Sequence, residues 1–134
     1  MRKLIAVLGV ALAACSSSAD LTLAAQEIPS FHKMLDAAQF EKIYADASDD
    51  LKRASKKEDF VPLLEAVHRK LGNFKSGEQK NWGVTYQSFG AVVTLNYAAV
   101  YAEGTAMEQF VYRIVDNKAL LAGYWINSTA LVLK

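Results

Sequence analysis

The sequence predicts an α+β domain in which N-terminal helices pack on a curved four-stranded antiparallel sheet. Three observations lead there. Apolar residues recur at helical spacing from Pro29 to Leu71. After Gly72 the apolar period changes from 3.6 to two. Helical and strand segments are also segregated along the chain instead of alternating, which favours α+β over α/β.

The helical half divides into segments. Pro29 suits a first helical turn, where its missing N–H is not needed, and Phe31, Met34, Leu35 and Ala38 then share a face. A short segment from Phe40 to Ala47 turns Phe40, Ile43 and Tyr44 inward. Ser48-Asp49-Asp50-Leu51 reads as a new N-cap with acidic residues in the first turn, favourable to the helix dipole. Ser55-Lys56-Lys57-Glu58 has capping-box spacing ahead of the stripe Phe60, Leu63, Leu64, Val67 and Leu71, and Gly72 is a natural end signal. Pro62 interrupts that stripe, so the helix either begins near Asp59 or is kinked at the proline.

In the second half Trp82, Val84 and Tyr86 alternate with Asn81, Gly83, Thr85 and Gln87. A second strand carries Ala91, Val93, Leu95, Tyr97, Ala99 and Tyr101 on one face. Glu103-Gly104 turns into Thr105–Val115, where Phe110, Tyr112 and Ile114 share a face. Asp116-Asn117 is a tight turn before a last strand, Ala119–Asn127, in which Gly123 marks a bulge or a close approach.

Several stretches carry a resemblance: Phe31-His32-Lys33-Met34-Leu35-Asp36-Ala37-Ala38-Gln39-Phe40-Glu41-Lys42-Ile43-Tyr44, the helix from Phe60 to Gly72, Glu108-Gln109-Phe110-Val111-Tyr112-Arg113 and Leu120-Leu121-Ala122-Gly123-Tyr124. In order and length they resemble the nuclear transport factor 2-like (cystatin-like) superfamily, and more narrowly its exported bacterial members of uncharacterised function. The resemblance implies a cone whose mouth binds a small ligand, catalyses isomerisation or dehydration, or mediates dimerisation. Fold alone does not choose among these.

The N-terminus carries an address. Arg2 and Lys3 precede the uncharged run Leu4–Ala14, the layout of a secretory signal peptide and too short for a stable span. Leu12-Ala13-Ala14-Cys15 resembles the bacterial lipobox, which implies cleavage after residue 14 and a thioether-linked diacylglycerol, with further acyl chains such as palmitate, on Cys15. Ser16 after the cysteine resembles the pattern that sends a Gram-negative lipoprotein to the periplasmic side of the outer membrane. The expected organisation is therefore residues 1–14 as signal peptide, 15–28 as lipidated cysteine and flexible tether, and 29–134 as a single α+β domain. Cys15 is the chain's one cysteine, so no disulfide joins it to the rest of the protein.

Composition excludes some partners. Cleavage removes Arg2 and Lys3 from the 15 basic side chains and leaves 13 against 14 acidic ones. No Lys/Arg stripe with interleaved aromatics is present, so nucleic acid is not an expected partner. The expected partners are a membrane through the lipid, a second copy or an envelope protein, and a small apolar ligand. No cofactor is expected beyond the covalent lipid on Cys15.

Candidate chemistry is sparse. The resemblance implies a carboxylate base with tyrosine donors, and the nearest match is Glu108, on the strand face of Phe110 and Tyr112, with Tyr97, Tyr101 and Tyr124 in neighbouring strands. Its place near a strand end predicts a solvated carboxylate or one paired with Lys or Arg. His32 and His68 lack ligand partners at zinc spacing, and solvated or capping roles are expected for both. The aromatics Trp82, Tyr86, Tyr97, Tyr101, Phe110, Tyr112, Tyr124 and Trp125 form the candidate ligand or partner surface. Alternation places Tyr124 and Trp125 on opposite faces, leaving one aromatic outside the helix-covered core. These features point to a lipid-anchored envelope binding or accessory module, with a small-molecule isomerase or dehydratase as the alternative.

Overall fold

The computed structural model describes the backbone of residues 12–133 and the side chains of residues 17–133. The expected leader lies almost wholly outside the described residues, and so does the side chain of Cys15. The chain runs through helices α1 (Leu12–Asp36), α2 (Phe40–Ala45), α3 (Asp49–Ala54) and α4 (Lys57–Leu71). Strands β1 (Phe74–Gln87), β2 (Gly90–Tyr101), β3 (Gly104–Val115) and β4 (Lys118–Asn127) follow, then a short helix α5 (Thr129–Leu133). The strands pair antiparallel in chain order, β1-β2-β3-β4. The α+β arrangement predicted from the period change is therefore the one observed. The sheet is curved and unclosed, consistent with a nuclear transport factor 2-like cone.

The first helix differs from expectation. Residues 16–28 were expected to form a flexible tether, and they are helical instead. The cause is in the spacing: Ala24, Ile28, Phe31 and Leu35 recur every three or four residues, and all four are buried. Pro29 sits inside this helix, not at its start. A proline there removes one intrahelical hydrogen bond, and its ring faces solvent. The folded unit thus reaches back past residue 29, since Leu21 and Leu23 also pack against the core. The helix stops where Ala38 takes a left-handed conformation (φ 57°) and Gln39 N–H bonds Met34 C=O at 2.9 Å.

The other helices follow the sequence more closely. Ser48 is the N-cap residue of α3, and its backbone N–H donates to Leu121 C=O at 2.9 Å, tying the helix to β4. The start of α4 falls at Lys57 with Lys56 as its cap, so the Ser55 capping box is not made; Ser55 ends α3 instead. Pro62 lies within α4, on its exposed side. Gly72 ends that helix at φ 71°, in the region glycine enters freely.

The sheet's inner face is set by register. Leu95 of β2 opposes Phe110 of β3, which opposes Tyr124 of β4, and all three are buried. Phe31, Leu35, Leu64, Val67 and Leu71 from the helices close over them. The turn between β3 and β4 has positive φ at both Asp116 (50°) and Asn117 (61°), as a tight hairpin requires. In β4 the register slips between Leu121 and Gly123, so Ala122 is an extra residue. That bulge lets Leu121 and Tyr124 both face inward although they are three residues apart. The first strand begins earlier than alternation indicates. Its initial stretch, Lys75-Ser76-Gly77-Glu78, is polar and solvent-facing, and two register shifts interrupt its period.

Candidate functional site

Glu108 is the most unusual side chain of the interior. It stands on β3 between Ala106 and Phe110 on the inner face, and only 1% of it is exposed. Three donors from three elements converge on its carboxylate. His32 of α1 places Nε2 2.8 Å from Oε1. Tyr101, the last residue of β2, donates its hydroxyl to Oε2 at 2.8 Å, and Tyr124 of β4 donates to the same oxygen at 2.5 Å. Hydrogen bonds to a charged acceptor are the strong ones, which is how a carboxylate is held away from water here. Strand alternation aims Glu108 and Tyr101 inward, and the β4 bulge supplies Tyr124.

His32 is fixed as tightly. Its ring stacks on Phe74 at 3.8 Å between centroids and 5° between planes, and meets Phe110 edge-on at 5.8 Å. Asp36, one turn further along α1, accepts the Phe74 backbone N–H at 3.0 Å and fixes the stacking partner in turn. Nδ1 of His32 is buried without a hydrogen bond among the described residues. Since a carboxylate is an acceptor, the contact with Glu108 requires a proton on Nε2. Burial and the Glu108 charge push the hydroxyls of Tyr101 and Tyr124 well above the ordinary tyrosine pKa. Burial also raises Tyr112, helped by Glu27 and then Glu108.

This geometry corrects two expectations. Glu108 is neither solvated nor paired with Lys or Arg; it is buried, with His32 as its ring partner. His32 likewise holds no solvated or capping place. The candidate pairing of Glu108 with Tyr112 is not made either. Four residues apart on one strand they are separated by about 13 Å of backbone, with Phe110 between them, and the phenols that reach Glu108 are those of Tyr101 and Tyr124. Chemically the cluster joins α1 to β2, β3 and β4. Both carboxylate oxygens are occupied, and the side chain has no exposed surface.

The eight aromatics of the candidate surface separate into groups. Tyr101, Phe110, Tyr112 and Tyr124 are core, and Tyr97 is half-buried. The Tyr97 ring lies across Gly77, where a Cβ would fall 2.1 Å from it. Trp82 and Tyr86 are exposed on the inner side of the edge strand, since they oppose Leu95 and Ala91. Trp125 opposes Gln109 on the outer face and is 58% exposed. The opposite placement of Tyr124 and Trp125 is as alternation predicts.

The outer face around Trp125 is a shaped surface. Asn81, Asn96, Gln109 and Trp125 pair successively across all four strands and form a single transverse row. Met107 and Asn127 oppose each other beside it. Together they border an open groove of about 480 Å³. The indole's six-membered ring sits over Gly123, where a Cβ would approach within 2.6 Å. Glycine at that position is what allows the tryptophan to lean along the strand.

A second open cavity, about 450 Å³, lies between α3 and the sheet. Arg113 donates from Nε to Asp50 and sits 3.8 Å from the Phe89 ring, while Arg53 donates to the other oxygen of Asp50 at 2.8 Å. The hydrogen bond from Arg113 holds the Asp50 carboxyl below the usual carboxylate range. These arginines are thus neutralised within the fold. Among the described residues no group of His, Cys, Asp and Glu is arranged to hold a metal ion, and no helix is long and apolar enough to cross a membrane.

Comparison with protein-family models and with curated proteins finds no match to this chain. Sequence reasoning placed Glu108 on the inner face but missed His32 as its partner. The signal available was periodic: His32 follows Phe31 and lies four residues after the buried Ile28, on the helix face that enters the core. Asn81, Asn96 and Gln109 gave no signal, because only strand register assembles them.

Proposed function

We propose that the chain is a lipid-anchored binding or accessory module of the bacterial cell envelope, acting through the outer sheet face around Trp125. The observation that carries this reading is the contrast between the two faces. The inner face is filled by Phe31, Leu95, Phe110 and Tyr124, and its carboxylate is capped by three donors. The outer face presents a large aromatic beside a groove. An exposed tryptophan is the residue type that most often dominates an interface. Nuclear transport factor 2-like membership is part of the proposal and accords with the helix-then-meander order.

Attachment through Cys15 completes the reading. The backbone is helical from Leu12 and Leu21 already packs on the core, so the six-residue step from Cys15 to Leu21 forms a short stalk of about 9 Å in place of a slack leash. A diacylglycerol on that cysteine plus a further acyl chain gives stable membrane attachment. Incorporation of labelled fatty acid by the wild type and its loss in Cys15→Ser is the expected result; labelling that persists in the variant refutes the anchor. An envelope pull-down with a native mass spectrum of the product tests the binding role. Trp125→Ala is expected to lose whatever the wild type retains.

A second reading, a small-molecule isomerase or dehydratase, is favoured by one observation: a carboxylate and two phenols meet inside an apolar fold. It requires the cluster to open so that substrate displaces at least one donor. Turnover of steroid or polyketide-like ketones that is lost in Glu108→Gln supports it, and an inert wild type counts against it.

A further inference from the structure

We infer that the groove beside Trp125 is a binding site for a neutral glycan, a chain of uncharged pyranose sugars. The inference deepens the reading of the outer face as the binding surface and rests on it. It starts from what the groove presents. Asn81, Asn96 and Gln109 carry primary amides, each with an oxygen acceptor and two N–H donors, and Asn127 adds a fourth beside them. A sugar hydroxyl is both donor and acceptor, so amides match it in either sense, whereas a carboxylate or an ammonium matches one sense only. Glu108 is the one charged residue bordering the groove, and its carboxylate is committed to His32, Tyr101 and Tyr124 on the opposite face. No charged ligand is therefore selected.

The arrangement is ordered. Adjacent strands are about 4.8 Å apart, so the row from Asn81 to Trp125 spans about 14 Å across the sheet. Gln109 donates from Nε2 to Asn96 Oδ1 at 3.1 Å, which orients both amides. That bond does not use the Asn96 N–H donors or the Gln109 oxygen, and both residues line the groove. The row ends in Trp125, whose ring is held over Gly123 with 58% of the residue exposed. An indole at the end of an amide row offers an apolar surface for the C–H face of a pyranose while its hydroxyl edge meets the amides. Met107 adds an apolar side chain to the groove on the Asn127 side of the row. The groove volume of about 480 Å³ falls in the range of small-ligand sites. A purely apolar ligand would desolvate the amide groups that the Gln109–Asn96 bond does not satisfy, a cost that a sugar avoids.

Saturation-transfer NMR on the full chain, in a detergent without a sugar headgroup, tests this with tetra-N-acetylchitotetraose, maltotetraose and cellotetraose. Tetragalacturonate is the charged control. Saturable transfer to the ring protons of at least one neutral sugar is expected, with little or none to the control. Binding should weaken at least tenfold in Trp125→Ala and in Gln109→Leu, and return in part in Trp125→Tyr, with circular dichroism unchanged in all three. No saturable transfer to any neutral sugar, or transfer that Trp125→Ala leaves intact, overturns the inference. Sedimentation velocity and an envelope pull-down run in parallel separate the two levels of the reading. Protein association that depends on Trp125 without sugar binding overturns the glycan alone. Absence of every Trp125-dependent interaction overturns the outer-face reading with it.

Discussion

Replacing Glu108 by alanine removes the acceptor shared by His32, Tyr101 and Tyr124 and leaves three buried polar groups without their partner. Each orphaned donor costs about 1–3 kcal/mol, and bonds to a charged group lie toward the upper end. Two effects reduce the total. The buried carboxylate no longer has to be desolvated, and the space it vacates admits a water that satisfies one or two of the donors. A net loss of about 3–4 kcal/mol follows, a large part of the roughly 5–15 kcal/mol that stabilises a domain. With an m-value of about 2 kcal/mol per molar urea the midpoint falls by about 1.5–2 M. Urea unfolding followed by tryptophan fluorescence and far-UV circular dichroism measures it. Glu108→Gln retains one oxygen acceptor, and the two phenol hydroxyls can rotate to accept from its amide, so its loss should be about half as large. Alanine and glutamine variants that both stay within about 1 kcal/mol of wild type would refute the claim that this cluster holds α1 to the sheet.

Tyrosine ionisation is tied to unfolding. Tyr101, Tyr112 and Tyr124 have pKa values raised above their unfolded value near 10, so the stability they contribute is complete below pH 10 and is lost as pH rises toward their folded values. Of the six tyrosines, these three should ionise only together with loss of far-UV signal, and smooth titration of all six in the folded protein contradicts their placement. Gly123→Ala puts a Cβ within 2.6 Å of the Trp125 ring. Because that ring is exposed it can swing away, so the stability change should be under about 1 kcal/mol while outer-face binding falls severalfold. A large fall in melting temperature with binding intact runs against the proposed role of the glycine.

The parts of the fold that could be read from the sequence were those with an unbroken period. Ala91, Val93, Leu95, Tyr97, Ala99 and Tyr101 alternate without interruption, and β2 follows them to within a residue. The early part of β1 was not legible, because an edge strand facing solvent needs no apolar alternation. Residues 16–28 misled for a different reason: serines and alanines look like a linker, and only Ala24 and Ile28 in phase with Phe31 betray the helix. Glu108 was visible as an inward carboxylate, yet its environment depends on a bulge at Ala122 and on a histidine 76 residues earlier. The Asn81–Asn96–Gln109–Trp125 row comes from four strands and from register alone. No local pattern encodes such a juxtaposition.

The central claim is that this protein binds through its outer sheet face and not through its interior. Backbone and side-chain amide shifts of the ¹⁵N-labelled chain, recorded while a neutral oligosaccharide or an envelope extract is added, test it directly. The account predicts that shifts concentrate on the side-chain amides of Asn81, Asn96, Gln109 and Asn127 and on the Trp125 indole N–H, with the Tyr101 and Tyr124 surroundings unmoved. Shifts confined to His32, Phe74, Tyr101 and Tyr124 would contradict it and place the working site at Glu108.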